Sequence, residues 1–530
     1  MCNWTGFRGT RGVYWLVLAP FLLLAFATAL NASSETAAAH SDRGLQLAQS
    51  GDLAGAESEM QAAVALAPQN PEFLKNLATV LAMERKLEDS SRVFERALKL
   101  APTNLTARRY LAANLWQLHR YPEAKRNLEI ILKQKGDDAP SRLLLGMVAE
   151  NMGDYETAAR MLASVPHEVR KQPESIAALA VSLYHLRQID KARLTLDQLK
   201  AHPAGPRAVV LGAHVADEAG DYPTAEDLLM SIQEQYPDKG DLGYRLAAVQ
   251  FHAKKYPQSE QTLLQLVQSG NRSGQILDLL GWCYEKQDEP EKAMRAFEDA
   301  ISVQPGEESN YLDLEKVLVA SNRLAAALEV AKHTTDALPN SARAFEMRGS
   351  IEMQTSQFTN AVASYRRAKE LQPGTAEITL GVADAEFAAG MSKEAHSELE
   401  AGIRQFPKDA RFRIHYAVVL VKEAESGDPQ LEAHAEELLK SALKLDPSSV
   451  EAHLGLGEIA LKNGRVADAQ QDYEAAEKLD GGNPKAHFGL SKVYRRLGKA
   501  EEASREAKLF QQLEQSKSAT ALSPTERSQN

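Results

Sequence analysis

A chain of 530 residues with a net charge of −11 and only 6% aromatic residues lacks the basic surface that general nucleic-acid binding needs. Its two cysteines, Cys2 and Cys283, exclude a disulfide framework. Such a length ordinarily implies several domains, unless the sequence grows by repetition.

The N-terminal segment, Met1 to Ala32, differs in kind from the rest. Arg8 and Arg11 precede the uncharged run Val13 to Leu30, and Ala27-Thr28-Ala29 forms an A-x-A-like site. This reads as a secretory signal peptide. An uncleaved anchor is the alternative, because 18 apolar residues just span a bilayer, but Pro20 and the small residues behind it favour cleavage. Either way the remainder is expected outside the cytoplasm, periplasmic or secreted, and touches a membrane only through this segment. No cysteine follows the apolar run to carry a lipid. Cleavage removes Cys2 and leaves Cys283, which is expected to pack as a small apolar residue. Asn31, Asn104 and Asn271 each begin an N-x-S/T sequon.

From Glu35 to Ser516 one pattern recurs. A small residue stands at Gly44, Ala78, Ala112, Gly146, Ala180, Ala213, Ala247 and Gly281, in steps of 34 with a single step of 33. The register continues through Glu315, Gly349, Ala383, Ala417, Gly457 and Ser491, with one step of 40. A second small residue follows twelve positions later, at Ala56, Ser90, Ala124, Ala158, Ala192, Ala225, Ser259, Ala293, Ala327, Ala361, Ala395, Ala469 and Ala503. In the unit with six extra residues it is Ala435. Closing prolines stand at Pro68, Pro102, Pro237, Pro305, Pro339, Pro373, Pro407 and Pro447.

The unit Asp278–Pro305 shows what the pattern encodes. Two amphipathic helices flank a polar turn at Gln287–Pro290. Gly281 and Ala293 are small where the helices cross, and Tyr284 and Phe297 are large where the space between them needs filling. Neither helix buries its apolar stripe alone, so each unit needs neighbours. The His202–Pro206 link and the stretch His167–Gln172 are expected to be looser, with stacking continuous through both. Glu315 places a charge at a small position, which predicts a looser joint or a local shift of phase. The extra residues around Glu423–Pro429 are expected to lengthen the first helix of the twelfth unit and enlarge its turn. The helix Ala500 to Ser516 is the expected polar cap, and Lys517–Asn530 the expected disordered tail.

This register resembles the tetratricopeptide repeat, a 34-residue helix–turn–helix unit with small residues at its eighth and twentieth positions. The resemblance covers residues 35–516 and implies an all-α, right-handed α-solenoid of about fourteen repeats. The usual tryptophan at the fourth position is absent; Leu277 and Phe345 stand there in two units. In that family the first helices line a concave face, with positions two, five, nine, twelve and thirteen pointing into it. Transferred here, the face carries Arg109, Trp116, Met147, Tyr184, His214, Tyr244, Phe251, Trp282, Glu285, Phe387 and Phe488. Its aromatics are anchors of the kind protein recognition favours. Lys75 and Thr79 do not reproduce the Lys/Asn pair with which some members clamp a C-terminal carboxylate.

No catalytic constellation accompanies this pattern. Gly455–Ala460 matches G-x-G-x-x-A but falls inside an expected helix with no strand before it. His167-Glu168 lacks the second histidine of H-E-x-x-H, and His415 and His434 stand without a ligand cluster. The sequence therefore reads as a non-enzymatic protein-binding scaffold or assembly factor that takes a partner peptide or helix in its groove, with no cofactor, metal or nucleic acid. The alternative is an accessory subunit of a glycan-export or glycosyl-transfer system, its aromatics stacking on sugars.

Overall fold

The computed structural model describes residues 37–424 and 428–521. The segment read as a signal, residues 1–32, and the end of the tail, 522–530, lie outside the described residues. Among the described residues there is no strand, and fourteen pairs of helices follow one another from Ala37 to Ala521. The fold is an all-α solenoid. It divides into two compact units, 1–262 and 263–530, at a point inside the helix Tyr256–Gln268.

Within each unit the small positions do what their spacing predicts. Gly281 lies against the fully buried Phe297 of its own repeat, and a Cβ there would sit 2.7 Å from the ring. Gly146 meets Leu162 in the same way, Gly44 meets Met60, Gly349 meets Tyr365 and Gly457 meets Tyr473. Tyr365 and Tyr473 also press on glycines of the next repeat, Gly381 and Gly489, so one ring locks two neighbouring units. Ala56, Ala78, Ala112, Ala124, Ala158, Ala293, Ala361 and Ala469 have no exposed surface. Where serine takes the second small position it adds a bond across the pair: Ser90 Oγ donates to the Ala78 carbonyl at 2.6 Å and Ser259 Oγ to the Ala247 carbonyl at 2.8 Å.

The turn within each repeat is set by backbone chemistry. The residue seven after the first small position has φ between 55° and 90° in thirteen of the fourteen repeats. It is glycine at Gly51, Gly153, Gly220, Gly390, Gly464 and Gly498, and a side-chain-bearing residue at Arg85, His119, Arg187, Lys254, Asp288, Asn322 and Ser356. Its N–H and the next one bond back to the helix end, as Arg85 N to Ala82 O (3.0 Å) and Lys86 N to Leu81 O (2.9 Å). This is the Schellman closure, which satisfies carbonyls that the helix end leaves open. Helix starts are capped by side chains that the sequence supplies, such as Asn70, Asn104, Asp138, Ser341 and Ser449. Asn104, read as a sequon, is the cap that accepts from Ala107 N at 3.0 Å.

Three local expectations change. The stretch after Pro166 is a one-turn helix, Pro166–Val169, and the second helices of repeats four to six are cut to 9 residues each. In the twelfth repeat the first helix, Arg411–Glu423, keeps the usual 13 residues, and the second, Pro429–Leu445, is lengthened to 17. There Ala424 has φ −69°, so the left-handed turn is given up. The last helix, Ala500–Ala521, runs past the boundary expected at Ser516.

Glu315 does not shift the register: Asn322 and Ala327 keep their places seven and twelve residues on. Its side chain is fully buried and within 2.6 Å of the Thr334 hydroxyl, which also donates to the Val330 carbonyl at 2.9 Å. One hydroxyl proton does not serve both oxygens, so a protonated Glu315 completes the pair. Burial, only partly offset by the Thr334 contact, pushes the carboxyl up to about 7.

Replacing Gly281 with leucine is expected to cost about 1–3 kcal/mol in chemical denaturation, and Phe297→Leu combined with Gly281→Ala to recover part of the loss of Gly281→Ala alone. A carboxyl raised in the folded state gives stability that is full below its ordinary value of 4.5 and lost as pH rises through about 7. Glu315→Gln is therefore expected to flatten that part of the stability–pH curve and to exceed wild type at pH ~8 by up to about 3 kcal/mol, read by thermal or urea unfolding.

Candidate functional site

The residues transferred onto the first-helix face divide into anchors of the stack and side chains that stay accessible. In the first unit, Arg109 donates from its guanidinium to Asp138 Oδ2 of the next repeat at 2.8 Å. Burial alone would raise Asp138, but hydrogen bonds from Ser141 and Arg109 outweigh it and hold the carboxyl below the usual range. Tyr184, 7% exposed, lies in the joint between the fifth and sixth repeats. Its hydroxyl donates to Asp221 Oδ2 at 2.9 Å, where Arg193 Nε (2.8 Å) and the Thr224 hydroxyl (2.9 Å) also converge. Burial and the Asp221 charge raise the Tyr184 phenol. Met147 is likewise buried. Tyr184 and Met147 therefore fill the stack and leave little surface for a partner.

The remaining members of the first unit stay accessible. Trp116 is half-buried and donates its indole N–H to Asn151 Oδ1 at 3.3 Å. His214 pairs with Glu218 at 3.4 Å. Tyr244 is half-buried. Phe251 is half-buried and meets Tyr256 edge-on, ring centroids 5.3 Å apart. Beside it, His252 Nδ1 lies 2.9 Å from Asp217 Oδ1, and that hydrogen bond raises the imidazole above its ordinary value.

In the second unit Trp282 is the centre of a polar ring of groups. Its indole N–H donates to Asp313 Oδ2 at 3.2 Å, and its ring stands edge-on to Phe297 at 5.7 Å. The ammonium groups of Lys286 and Lys316 lie 5.7 and 6.0 Å from the indole centroid, and Lys316 also bonds Asp313 at 2.7 Å. Glu285 is held by Lys286 at 2.9 Å. Asp278, on the same face, is pushed up to about 7 by burial and by the neighbouring Asp313 charge. Phe387 is half-buried under the Lys422 ammonium at 5.5 Å. Phe488 is 42% exposed.

The register that found Trp282 also marks Asp217, His252, Asp278 and Lys316, which occupy face positions but were not selected because single charges on a helix read as solvated. Asp313 stands one position off the face pattern, and only its contact with Trp282 reveals it. Gly455 is inside the helix Val450–Lys462 and packs against Leu439. Lys75 pairs with Glu72, and Thr79 bonds its own helix backbone at 2.8 Å. His415 pairs with Asp384 at 2.8 Å.

Glu477, His487 and Glu506 form a group of metal-ligand type among the described residues. His487 is 3% exposed; its Nδ1 is 2.7 Å from Glu506 Oε2 and its Nε2 is 3.0 Å from the Gly481 carbonyl oxygen. Both contacts require N–H donors, so the ring offers no lone pair to a metal. His40 with Glu59 (2.7 Å) and His453 with Asp472 (3.0 Å) repeat the same spacing of 19 residues. All three histidines occupy the position at which the repeat usually has tryptophan.

The fold and this face define a helical-repeat scaffold. A tetratricopeptide repeat model matches residues 23–71, 111–174, 309–376 and 433–484, a second one matches 460–509, and a tetratricopeptide repeat-like domain model matches 186–315. The chain belongs to the tetratricopeptide-repeat family. No curated protein sequence matches it at a significant level. Among solved structures it is similar to yeast Tom70, with 16% identity, 91% of this chain and 95% of that one covered, and a TM-score of 0.39. It is also similar to the APC/C hetero-tetramer Cut9–Hcn1, with 12% identity, coverages of 85% and 95%, and a TM-score of 0.35. The C-terminal part of a TPR repeat-containing protein from Cytophaga hutchinsonii gives 15% identity, coverages of 47% and 99%, and a TM-score of 0.37.

Tyr184→Phe tests the division between anchors and surface. It removes a hydrogen bond to a carboxylate and is expected to lower stability by about 1–3 kcal/mol in urea unfolding while leaving the exposed face unchanged.

Proposed function

We propose that the chain is a non-enzymatic scaffold that takes an extended peptide or helix of a partner protein against its first-helix face. The observation that carries this reading is the set of half-buried aromatics on that face. Each ring is fixed by packing or a hydrogen bond on one side and open on the other: Trp116 and Phe251 in the first unit, Trp282 and Phe387 in the second. Rigid rings with polar rims supply contact area at small entropic cost, which is what a peptide-binding groove needs. Family membership supports the same reading. Export is part of the proposal and rests on the N-terminal residues Arg8 to Leu30. Among the described residues no helix is long and apolar enough to cross a membrane, and the run Val13–Leu30 lies outside them.

The test is affinity capture from an envelope extract of the native host, read by quantitative mass spectrometry. Wild type is compared with Trp116→Ala, Phe251→Ala, Trp282→Ala and Phe387→Ala combined, after circular dichroism has verified folding. A protein set lost only from the variant is expected; an unchanged set would remove the interface from this face.

A further inference from the structure

The last repeat presents a surface unlike the others. Its first helix, Pro484–Arg496, carries Lys485, Phe488, Lys492 and Arg495 at spacings of three, four and three, which places them on one face. All four are exposed. Phe488 is the one aromatic among the most exposed large hydrophobics of the described residues. Its ring lies 4.0 Å from the Lys492 ammonium and 5.0 Å from the Phe510 ring of the last helix.

Several first-helix cations of this unit are held by carboxylates, while Lys422, over Phe387, has a ring beside it. Lys286 is held by Glu285, Lys316 by Asp313, Arg411 by Asp409 and Glu377, and Lys462 by Glu432. Lys485, Lys492 and Arg495 have no carboxylate partner among the described residues. In a chain of net charge −11 this concentration of unneutralised positive charge beside an open ring is complementary to negative charge joined to an apolar group. The patch is short. Repeat thirteen carries Glu451 and Glu458 at the positions that Lys485 and Lys492 occupy here, so the basic surface ends within one repeat. A nucleic-acid backbone needs a longer basic track.

We propose that this face of the last repeat docks an acidic segment of a partner protein that also carries a large apolar side chain. The carboxylates pair with Lys485, Lys492 and Arg495, and the apolar side chain covers Phe488 and Phe510. The site is separate from the central aromatic face, and the variants expected to weaken it, at Lys485, Phe488, Lys492 and Arg495, are none of those in the capture experiment, so either reading fails alone.

The test is fluorescence anisotropy on the full chain, with a short fluorescein-labelled peptide of glutamates and aspartates around one leucine. Controls are its glutamine/asparagine counterpart and the same acidic peptide with glycine for leucine. Wild type is expected to bind the acidic peptide at least about tenfold more tightly than the amide control, and binding is expected to weaken as salt rises. Lys492→Glu combined with Arg495→Glu is expected to remove that preference, and Lys485→Glu alone to reduce it. Phe488→Ala is expected to weaken the leucine peptide towards the level of the glycine peptide. Equal binding of the acidic and amide peptides by wild type would overturn the proposal, as would an unaltered preference in folded charge-reversal variants. Stronger binding to phosphatidylserine vesicles or duplex DNA than to the peptide would overturn it too, as would loss of the peptide in Trp282→Ala, which would move the site to the central face.

Discussion

Everything in this molecule depends on how closely two helices approach within a repeat. The approach is permitted by an absent or minimal side chain at one position and enforced by a large ring or branched chain sixteen residues later, as with Gly281 and Phe297 or Gly146 and Leu162. When the large residue is Tyr365 or Tyr473 it also reaches the following repeat through Gly381 or Gly489. Cohesion is thus passed from neighbour to neighbour, and no distant contact is required to hold a unit's place. The left-handed turn residue has the companion task of returning the chain at a fixed angle, and it recurs with the same sign of φ whether or not glycine is present.

On this frame the first-helix face carries both ties between repeats and accessible rings. Polar ties on and beside this face join adjacent repeats: Arg109 to Asp138, Tyr184 and the second-helix Arg193 to Asp221, His252 to Asp217. These ties hold the surface still while the aromatic rings between them remain open. Under the proposed function, a face pre-positioned in this way loses less conformational freedom when a partner binds.

The frame was legible in the sequence because its logic is steric and periodic. A residue that must lack bulk, every 34 positions, leaves a mark that composition alone hides. What was not legible had a different origin. Glu315 keeps its register because a buried carboxyl takes a proton and pairs with Thr334, a chemical solution that a size rule does not anticipate. Tyr184 matched the face pattern, but its depth depends on Asp221, just before a helix of the next repeat, and on Arg193 in the second helix of its own. The turn position was obscured because Arg, His, Lys, Asp, Asn and Ser share it with glycine. The extra residues of the twelfth repeat lengthened the second helix because Pro429, preset for a first turn and capped by Asp428, starts that helix early.

The histidine at the tryptophan position of the last repeat changes what holds that repeat closed. In most repeats the space between the paired helices is filled by apolar volume such as Phe94, Phe297 or Leu162, which is indifferent to acidity. Here an imidazole with an acceptor at each nitrogen stands between the helices, an arrangement that favours its charged form. Burial opposes the charge, but Glu506, the Gly481 carbonyl and, at 4.0 Å, Glu477 together raise the imidazole above its ordinary value. The contribution of this pair is full below the ordinary imidazole range and lost as pH climbs through the raised value. The helices of this repeat are thus joined in part by a proton, and the joint weakens as that proton leaves.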